Sequence, residues 1–176
     1  MKRTLTISLF VLAFMALAIA QSAGGIKWTA PKKWTKQADR PMRAATYTVP
    51  RAAGDPEDGE CAVYFFGPGQ GGSTEANLDR WSKQFQTPGG QPVGNAKTGK
   101  QNIAGFHVTT VDISGTYMAT SGPMMAATAA KPNYRMLAAV IEGKQANIFF
   151  KFTGPKKTVA AAETDFQTML KSIKPE

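Results

Sequence analysis

Two stretches of the sequence, residues 61–66 and 136–141, are apolar or aromatic at every position. A strand with one face in water alternates apolar and polar residues, and neither stretch shows that alternation. Strands of this kind need cover on both faces of their sheet. The two stretches therefore predict a layered fold in which a sheet lies between other elements.

Enrichment in β-branched and aromatic residues between turn-forming segments predicts the other strands. The predicted strands span residues 42–49, 60–66, 97–102, 106–117, 134–142 and 146–153, with a short opening strand at 27–29. In the last of them, apolar residues alternate partly with Asn147 and Lys151, which predicts a strand nearer the edge of the sheet. Residues 142–145 predict a tight turn, so the last two strands form an antiparallel hairpin.

Apolar spacing predicts two helices. The first is capped by Ser73 or Thr74 and ends before the Pro-Gly-Gly sequence at 88–90. Its buried face is predicted to hold Leu78, Trp81 and Phe85. The second helix begins near Pro155. Its apolar stripe comprises Val159, Ala162, Phe166, Met169, Leu170 and Ile173.

These elements together predict an α+β fold, with an antiparallel sheet of about six to seven strands covered by helices. Residues 86–96 and 119–133 are predicted to be loops, and neither resembles a linker between domains. Residues 21–176 are therefore expected to form one globular domain.

The N-terminal segment has the pattern of a secretory signal. Lys2 and Arg3 precede an apolar run at residues 5–20, and Ala18 and Ala20 supply the small residues that signal peptidase needs. The run is short for a membrane span and includes hydroxyl residues. We predict a Sec-type signal peptide at residues 1–20, cleaved after Ala20. The product would be a soluble periplasmic or secreted protein without a transmembrane span.

The net charge of the chain favours one class of partner, and its cysteine content excludes a disulfide. The chain has 21 Lys and Arg residues against 12 Asp and Glu residues, and loss of residues 1–20 removes only two of the cations. This excess favours anionic partners. After export, an anionic envelope component or a small anion is expected, and no nucleic acid. Cys61 is the lone cysteine, so an internal disulfide is excluded.

Several stretches of the mature chain resemble an uncharacterised family of exported bacterial proteins. The matching stretches are residues 42–47, 64–73, 77–81, 109–112, 135–137 and 149–155. The order of elements is also similar to the PsbP and DcrB fold, an antiparallel sheet between helices. That resemblance implies a binding or accessory module rather than an enzyme.

The Gly-rich stretch at residues 67–72 fits G-x-G-x-x-G between a predicted strand and a predicted helix. A dinucleotide site also needs a parallel βαβ unit and an acidic residue about 20 positions later. Residues 87–94 contain no carboxylate, and antiparallel hairpins follow. We interpret the stretch as a strand-to-helix turn and predict no cofactor.

Other chemical signals favour structural interpretations. Cys61 and His107 lie in separate predicted strands, so we interpret Cys61 as a core residue rather than half of a nucleophilic pair. The acidic residues at 55–60 miss the spacing of a calcium loop and are interpreted as a solvated turn. Met118, Met124 and Met125 could bind Cu(I), but we interpret them as loop residues packed into a groove. No metal site is predicted.

Trp28 and Trp34 flank two lysines near the predicted mature start. An exposed patch of this composition could stack on sugars or lie at a membrane surface. We instead expect both indoles to close the edge of the core, with the lysines in water.

The start of the last helix is a candidate anion site. Lys156 and Lys157 fall in its first turn, where the helix dipole disfavours cations. Free amides, two lysines and the adjacent Gly154 would together bind phosphate, sulfate or a carboxylate. The predicted site residues are Lys156, Lys157 and Thr158.

The sequence thus favours an exported noncatalytic binding or accessory domain of the bacterial cell envelope. The alternative is a hydrolase-like enzyme that uses His107 with a nearby carboxylate such as Asp112. A scaffold component of the envelope is a third interpretation.

Overall fold

The computed structural model describes residues 20–94, 96–120 and 127–176. In these residues the chain forms a mostly antiparallel β structure with short helices. The strands are β1 Ala20–Ala23, β2 Ile26–Thr29, β3 Thr35–Lys36, β4 Arg43–Val49, β5 Gly59–Tyr64, β6 Phe85–Gln86, β7 Lys97–Ile103, β8 Phe106–Thr120, β9 Ala127–Glu142, β10 Asn147–Pro155 and β11 Lys174–Pro175. The helices are α1 Thr74–Ser82, α2 Lys156–Ala161 and α3 Glu163–Lys171.

The main sheet has eight strands in the order β3-β4-β5-β10-β9-β8-β6, with β7 also paired to β8. Its strand pairs are antiparallel. The two apolar stretches form β5 and β9, which lie on either side of β10 in the middle of the sheet. A second sheet has the order β1-β2-β11.

Both faces of the main sheet are covered, as the apolar stretches predict. One face packs against the small sheet, α2 and α3, and its core includes Trp28, Phe150 and Phe166. The other face packs against α1 and residues 84–94, and its core includes Trp81 and Phe149. The prediction of an antiparallel sheet covered by helices is confirmed. None of the helices in the described ranges is long and apolar enough to cross a membrane.

The largest difference concerns the predicted loop at residues 119–133. Strand β8 continues to Thr120 and β9 begins at Ala127, with Tyr117 opposite Lys131. The two strands satisfy each other's backbone hydrogen bonds, so their pairing continues into the predicted loop. The side chains there are too small to give the sequence pattern that predicts a strand. Met124 and Met125 lie outside the described residues.

The helices are shorter than predicted, but their predicted apolar residues are buried, apart from the half-buried Leu78. Helix α1 is capped by Ser73, whose Oγ accepts from the amide of Ala76, and it ends at Ser82. Phe85 is buried in β6 instead of on the helix. The predicted last helix is divided at Ala162, where the backbone leaves helical geometry. All six residues of its apolar stripe are buried in the core.

The two N-terminal indoles are buried, as expected. Trp28 is 1% exposed and Trp34 is 6% exposed. The indole N–H of Trp28 donates to the Tyr47 hydroxyl at 3.0 Å, so its polar atom is satisfied inside the core. Lys32 and Lys33 are exposed.

Candidate functional site

The Gly-rich loop joins the end of β5 to the start of α1. Gly71 has a φ of +92°, and a Cβ there would lie 2.6 Å from a ring atom of Phe149, so this position requires glycine. The Asn77 side chain donates to the carbonyl oxygens of Gly71 and Ser73 at 2.8 Å, which fixes the loop on the helix. Because β5 pairs antiparallel with β4 and β10, the loop is a strand-to-helix turn and not part of a parallel βαβ unit.

An open cleft lies between this loop, α1 and the turn before β4. Its volume is about 610 Å³. We call it the Gly-loop cleft; it is lined by Met42, Phe65, Phe66, Gln70, Gly71, Gly72, Ala76, Asn77 and Arg80. Its walls are therefore mainly apolar, and Arg80 is the charged side chain among them.

Three cations lie near one another on the α1 side of the sheet, and one of them lines this cleft. They are Arg43 on β4, Arg80 on α1 and Lys151 on β10, and we call them the basic cluster. The Arg43 guanidinium lies 5.3 Å from the centre of the Tyr64 ring. It donates to Glu60 Oε1 at 2.8 Å. Arg80 donates to the neutral Asn77 Oδ1.

Lys151 is the unusual member of the basic cluster. Its Nζ donates to Gln84 Oε1 at 2.7 Å and lies 3.4 Å from the Tyr117 hydroxyl, both of which are neutral. Burial lowers the pKa of this ammonium to about 8, and the positive charge of Arg80 acts in the same direction. Neither Lys151 nor Arg80 forms an ion pair with any residue that the structure describes.

Sequence reasoning missed Lys151 because the alternation in residues 147–152 indicated a strand near the edge. That prediction is wrong, since β10 is paired on both sides, with β5 and β9. The available signal was a lysine within the sequence Phe-Phe-Lys-Phe. Because elements pack on both faces of the predicted sheet, a lysine between aromatic residues in one of its strands must lie against one of those elements.

The hydrolase-like arrangement of His107 with Asp112 is not formed. Both residues are on β8, but five positions apart, so their side chains point to opposite faces of the sheet. Arg135 donates to both carboxylate oxygens of Asp112 at 2.8 Å. The same guanidinium donates to Glu163 on α3 at 2.8 Å, so Asp112 helps to fix that helix to the sheet. His107 is exposed, opposite Glu142 on β9.

Cys61 is a core residue, as interpreted. It is fully buried on β5 between Tyr47 and Phe152 of the neighbouring strands. Burial raises the pKa of its thiol, which disfavours the reactive thiolate. Its side chain belongs to the core opposite α1, so it does not meet the exposed His107.

The acidic residues at 55–60 are exposed or half-buried, in keeping with a solvated turn, and each also accepts hydrogen bonds. Glu57 accepts from Lys131 Nζ at 2.9 Å and from the Tyr134 hydroxyl. Glu60 accepts from Arg40 and Arg43, and Asp58 from the Arg51 amide. Among the described residues, no group of three or more His, Cys, Asp or Glu side chains could hold a metal ion.

Asp55 occupies the start of α2, where an external anion is predicted. Its Oδ2 accepts from the Thr158 amide at 2.8 Å and from the Thr158 hydroxyl at 2.6 Å. Lys156 and Lys157 are exposed beside this contact, and Thr158 is buried. An external anion at the Thr158 amide would have to displace Asp55. The site at Lys156, Lys157 and Thr158 stays a prediction.

Comparisons with known proteins support the fold. No protein-family model and no curated protein matches the sequence. PA94 from Pseudomonas aeruginosa, a protein of unknown function, is similar in structure with a TM-score of 0.51 at 13% identity, over 90% of this chain and 96% of that one. The cyanobacterial PsbP protein CyanoP from Synechocystis sp. PCC 6803 gives a TM-score of 0.51 at 13% identity, over 94% of this chain and 97% of that one. The chain therefore has a PsbP-like fold.

Proposed function

We propose that residues 21–176 form an exported, noncatalytic binding or accessory domain of the bacterial cell envelope that binds an anion at the basic cluster. One observation carries the proposal. Lys151 holds a positive charge in a half-buried setting, and its hydrogen-bond partners Gln84 and Tyr117 are neutral.

An ammonium that loses much of its hydration without gaining a counter-ion destabilises the folded chain. Arg80 and Arg43 add to this cost because each lowers the pKa of Lys151. Glu60 opposes them, but Arg40 and Arg43 already contact its carboxylate. A bound anion would supply the missing negative charge, and a local conflict of this kind is typical of a functional site.

The arrangement of the nucleophilic and basic side chains supports a noncatalytic role. A covalent or general-base mechanism needs a nucleophile and a base within hydrogen-bond reach. The thiol of Cys61 is buried in one core, whereas the imidazole of His107 is exposed on the other side of the sheet.

The export part of the proposal rests on the N-terminal sequence. If the signal is cleaved after Ala20, the mature protein begins at Gln21. Intact-mass measurement of the product from the periplasm or culture medium should give the mass of residues 21–176. A product that retains residues 1–20 would contradict the predicted cleavage.

The anion site can be tested by titrating inorganic phosphate at low salt while following backbone amide shifts. We expect saturable shifts near Arg43, Arg80 and Lys151, weakened at least about 5-fold in Arg80→Gln. Lys83→Gln is the matched control, because Lys83 directly follows the last residue of the same helix and its side chain is 71% exposed. This control should bind as the parent does.

The same titration separates the two candidate anion sites. Saturable shifts confined to Lys157, Thr158 and Val159 would support the start of α2 and contradict the basic cluster. Weak shifts scattered over the whole surface, and lost at 0.15 M salt, would contradict both sites, because screening removes nonspecific attraction between exposed charges.

A further inference from the structure

We propose that the Gly-loop cleft takes the apolar part of the same ligand, so the ligand is an amphiphilic anion: a hydrocarbon chain joined to a phosphate or carboxylate group. This inference rests on the proposed anion site at the basic cluster. It adds what that site alone does not specify, namely that affinity depends on an apolar group attached to the anion.

The cleft and the basic cluster are continuous. Arg80 belongs to both, since it lines the cleft. The Phe66 ring, also on the cleft wall, stacks on the Tyr64 ring with centres 5.9 Å apart and planes 11° apart. The Arg43 guanidinium lies over that same Tyr64 ring. An anion held by Arg43 and Arg80 would therefore have an apolar wall directly beside it.

Met42 is the strongest sign that the wall contacts an apolar group. Its side chain is 67% exposed, and it stands out as the exposed large hydrophobic residue of the described chain. Its φ of +62° is in the left-handed region, which a methionine rarely adopts. Strain of this kind persists where the surrounding structure imposes it, and it clusters at ligand sites. Met42 also directly precedes Arg43, so an apolar and a cationic side chain are adjacent where the turn meets β4.

The dimensions and lining of the cleft fit a small amphiphile. Its volume of about 610 Å³ falls within the range of small-molecule sites. Phe65 and Phe66 provide aromatic surface, and a flexible thioether such as that of Met42 adapts to ligands of varied shape. An uncharged hydrocarbon would leave Arg80 without a counter-ion, whereas a bare inorganic anion would leave the apolar wall in water.

Calorimetric titration of the mature protein with three monomeric probes tests this inference. The probes are octyl phosphate, inorganic phosphate and octyl glucoside, each below its critical micelle concentration. Burial of one methylene group is worth roughly a fourfold gain in affinity, so partial burial of the octyl chain should make octyl phosphate bind at least about 30-fold tighter than phosphate. Octyl glucoside, which lacks the charge, should bind at least about 10-fold weaker than octyl phosphate.

The variant Met42→Asn makes the test specific to the cleft. Asparagine tolerates the left-handed backbone conformation, so the turn should be preserved. We expect this variant to weaken octyl phosphate at least about 5-fold while inorganic phosphate binds as before. A general effect of the substitution on folding would weaken both ligands alike, so the difference between the two ligands reports on the cleft.

The outcomes distinguish this inference from the proposed function. If octyl phosphate and phosphate bind equally, or if Met42→Asn affects neither, the cleft takes no apolar group and the anion site stands alone. If neither anion binds saturably, the anion site fails as well. Equal binding of octyl glucoside would overturn the requirement for charge. If the protein binds phosphatidylglycerol vesicles but not monomeric octyl phosphate, the inference of a free amphiphile is wrong and the ligand is a membrane surface.

Discussion

Replacing Trp81 by alanine should lower the free energy of unfolding by about 3–5 kcal/mol. The indole is 3% exposed and packs edge-on against the Phe149 ring, with centres 6.4 Å apart. It is the large side chain through which α1 is anchored on the sheet, so its removal leaves a cavity that the short helix cannot fill. Chemical denaturation of the parent and variant at the same pH measures the difference.

Lys83→Ala is the control for Trp81→Ala. The Lys83 side chain, directly after the end of α1, is 71% exposed and pairs at 2.7 Å with Asp79 in the last turn of that helix. Loss of an exposed i, i+4 pair should cost no more than about 0.5 kcal/mol. Similar small effects at both positions would show that α1 is not anchored through Trp81.

Strand composition predicted the middle of the sheet well, because burial on both faces leaves a visible pattern. The apolar stretches became β5 and β9, which flank the central strand. The hairpin through residues 142–145 also formed as predicted, with Asn147 opposite Glu142. Turn residues and apolar runs are local signals, and both were sufficient here.

The order of strands was harder to predict, because it depends on pairing between distant segments. Strand β10 is the last long strand in the sequence, yet it lies at the centre of the sheet beside β5. The short strands β1, β3, β6 and β11 have two to four residues each, too few for a periodicity to be detected.

The candidate site could not be predicted from local patterns for the same reason. Met42, Phe66, Arg80 and Lys151 come from the turn before β4, the segment after β5, helix α1 and strand β10. None of them belongs to a motif with a fixed spacing. What the sequence did predict was the excess of cations and hence an anionic partner, without a position for it.

Replacing Lys151 by methionine should stabilise the protein and weaken anion binding together. Methionine has a similar length and no charge to desolvate, so removing the half-buried ammonium should raise the free energy of unfolding by about 1–3 kcal/mol at pH 7, after allowance for its partial exposure. Gln84, which loses a donor, is partly exposed and can bond to water instead. A residue that costs stability but supports binding is expected at a functional site.

The pH dependence of stability gives an independent check on Lys151. Its pKa is lowered from 10.5 to about 8, so between these values the unfolded chain holds a proton that the folded chain has lost. Stability should therefore rise with pH from about 8 to about 10.5 in the parent, relative to Lys151→Met. Below about pH 8 both states are protonated, and the difference between parent and variant should be constant. Denaturation midpoints measured across this range test the sign.

Anion binding should show the opposite trend to stability. Phosphate affinity should fall at least about 10-fold in Lys151→Met, because the variant lacks a charge-assisted hydrogen-bond donor beside Arg80 and Arg43. In the parent, affinity should decline as pH rises above about 8, since Lys151 then loses its proton. Lys144→Met, in the exposed turn between β9 and β10, is the matched control and should change neither stability nor affinity. A Lys151→Met variant that binds phosphate as tightly as the parent would remove Lys151 from the anion site.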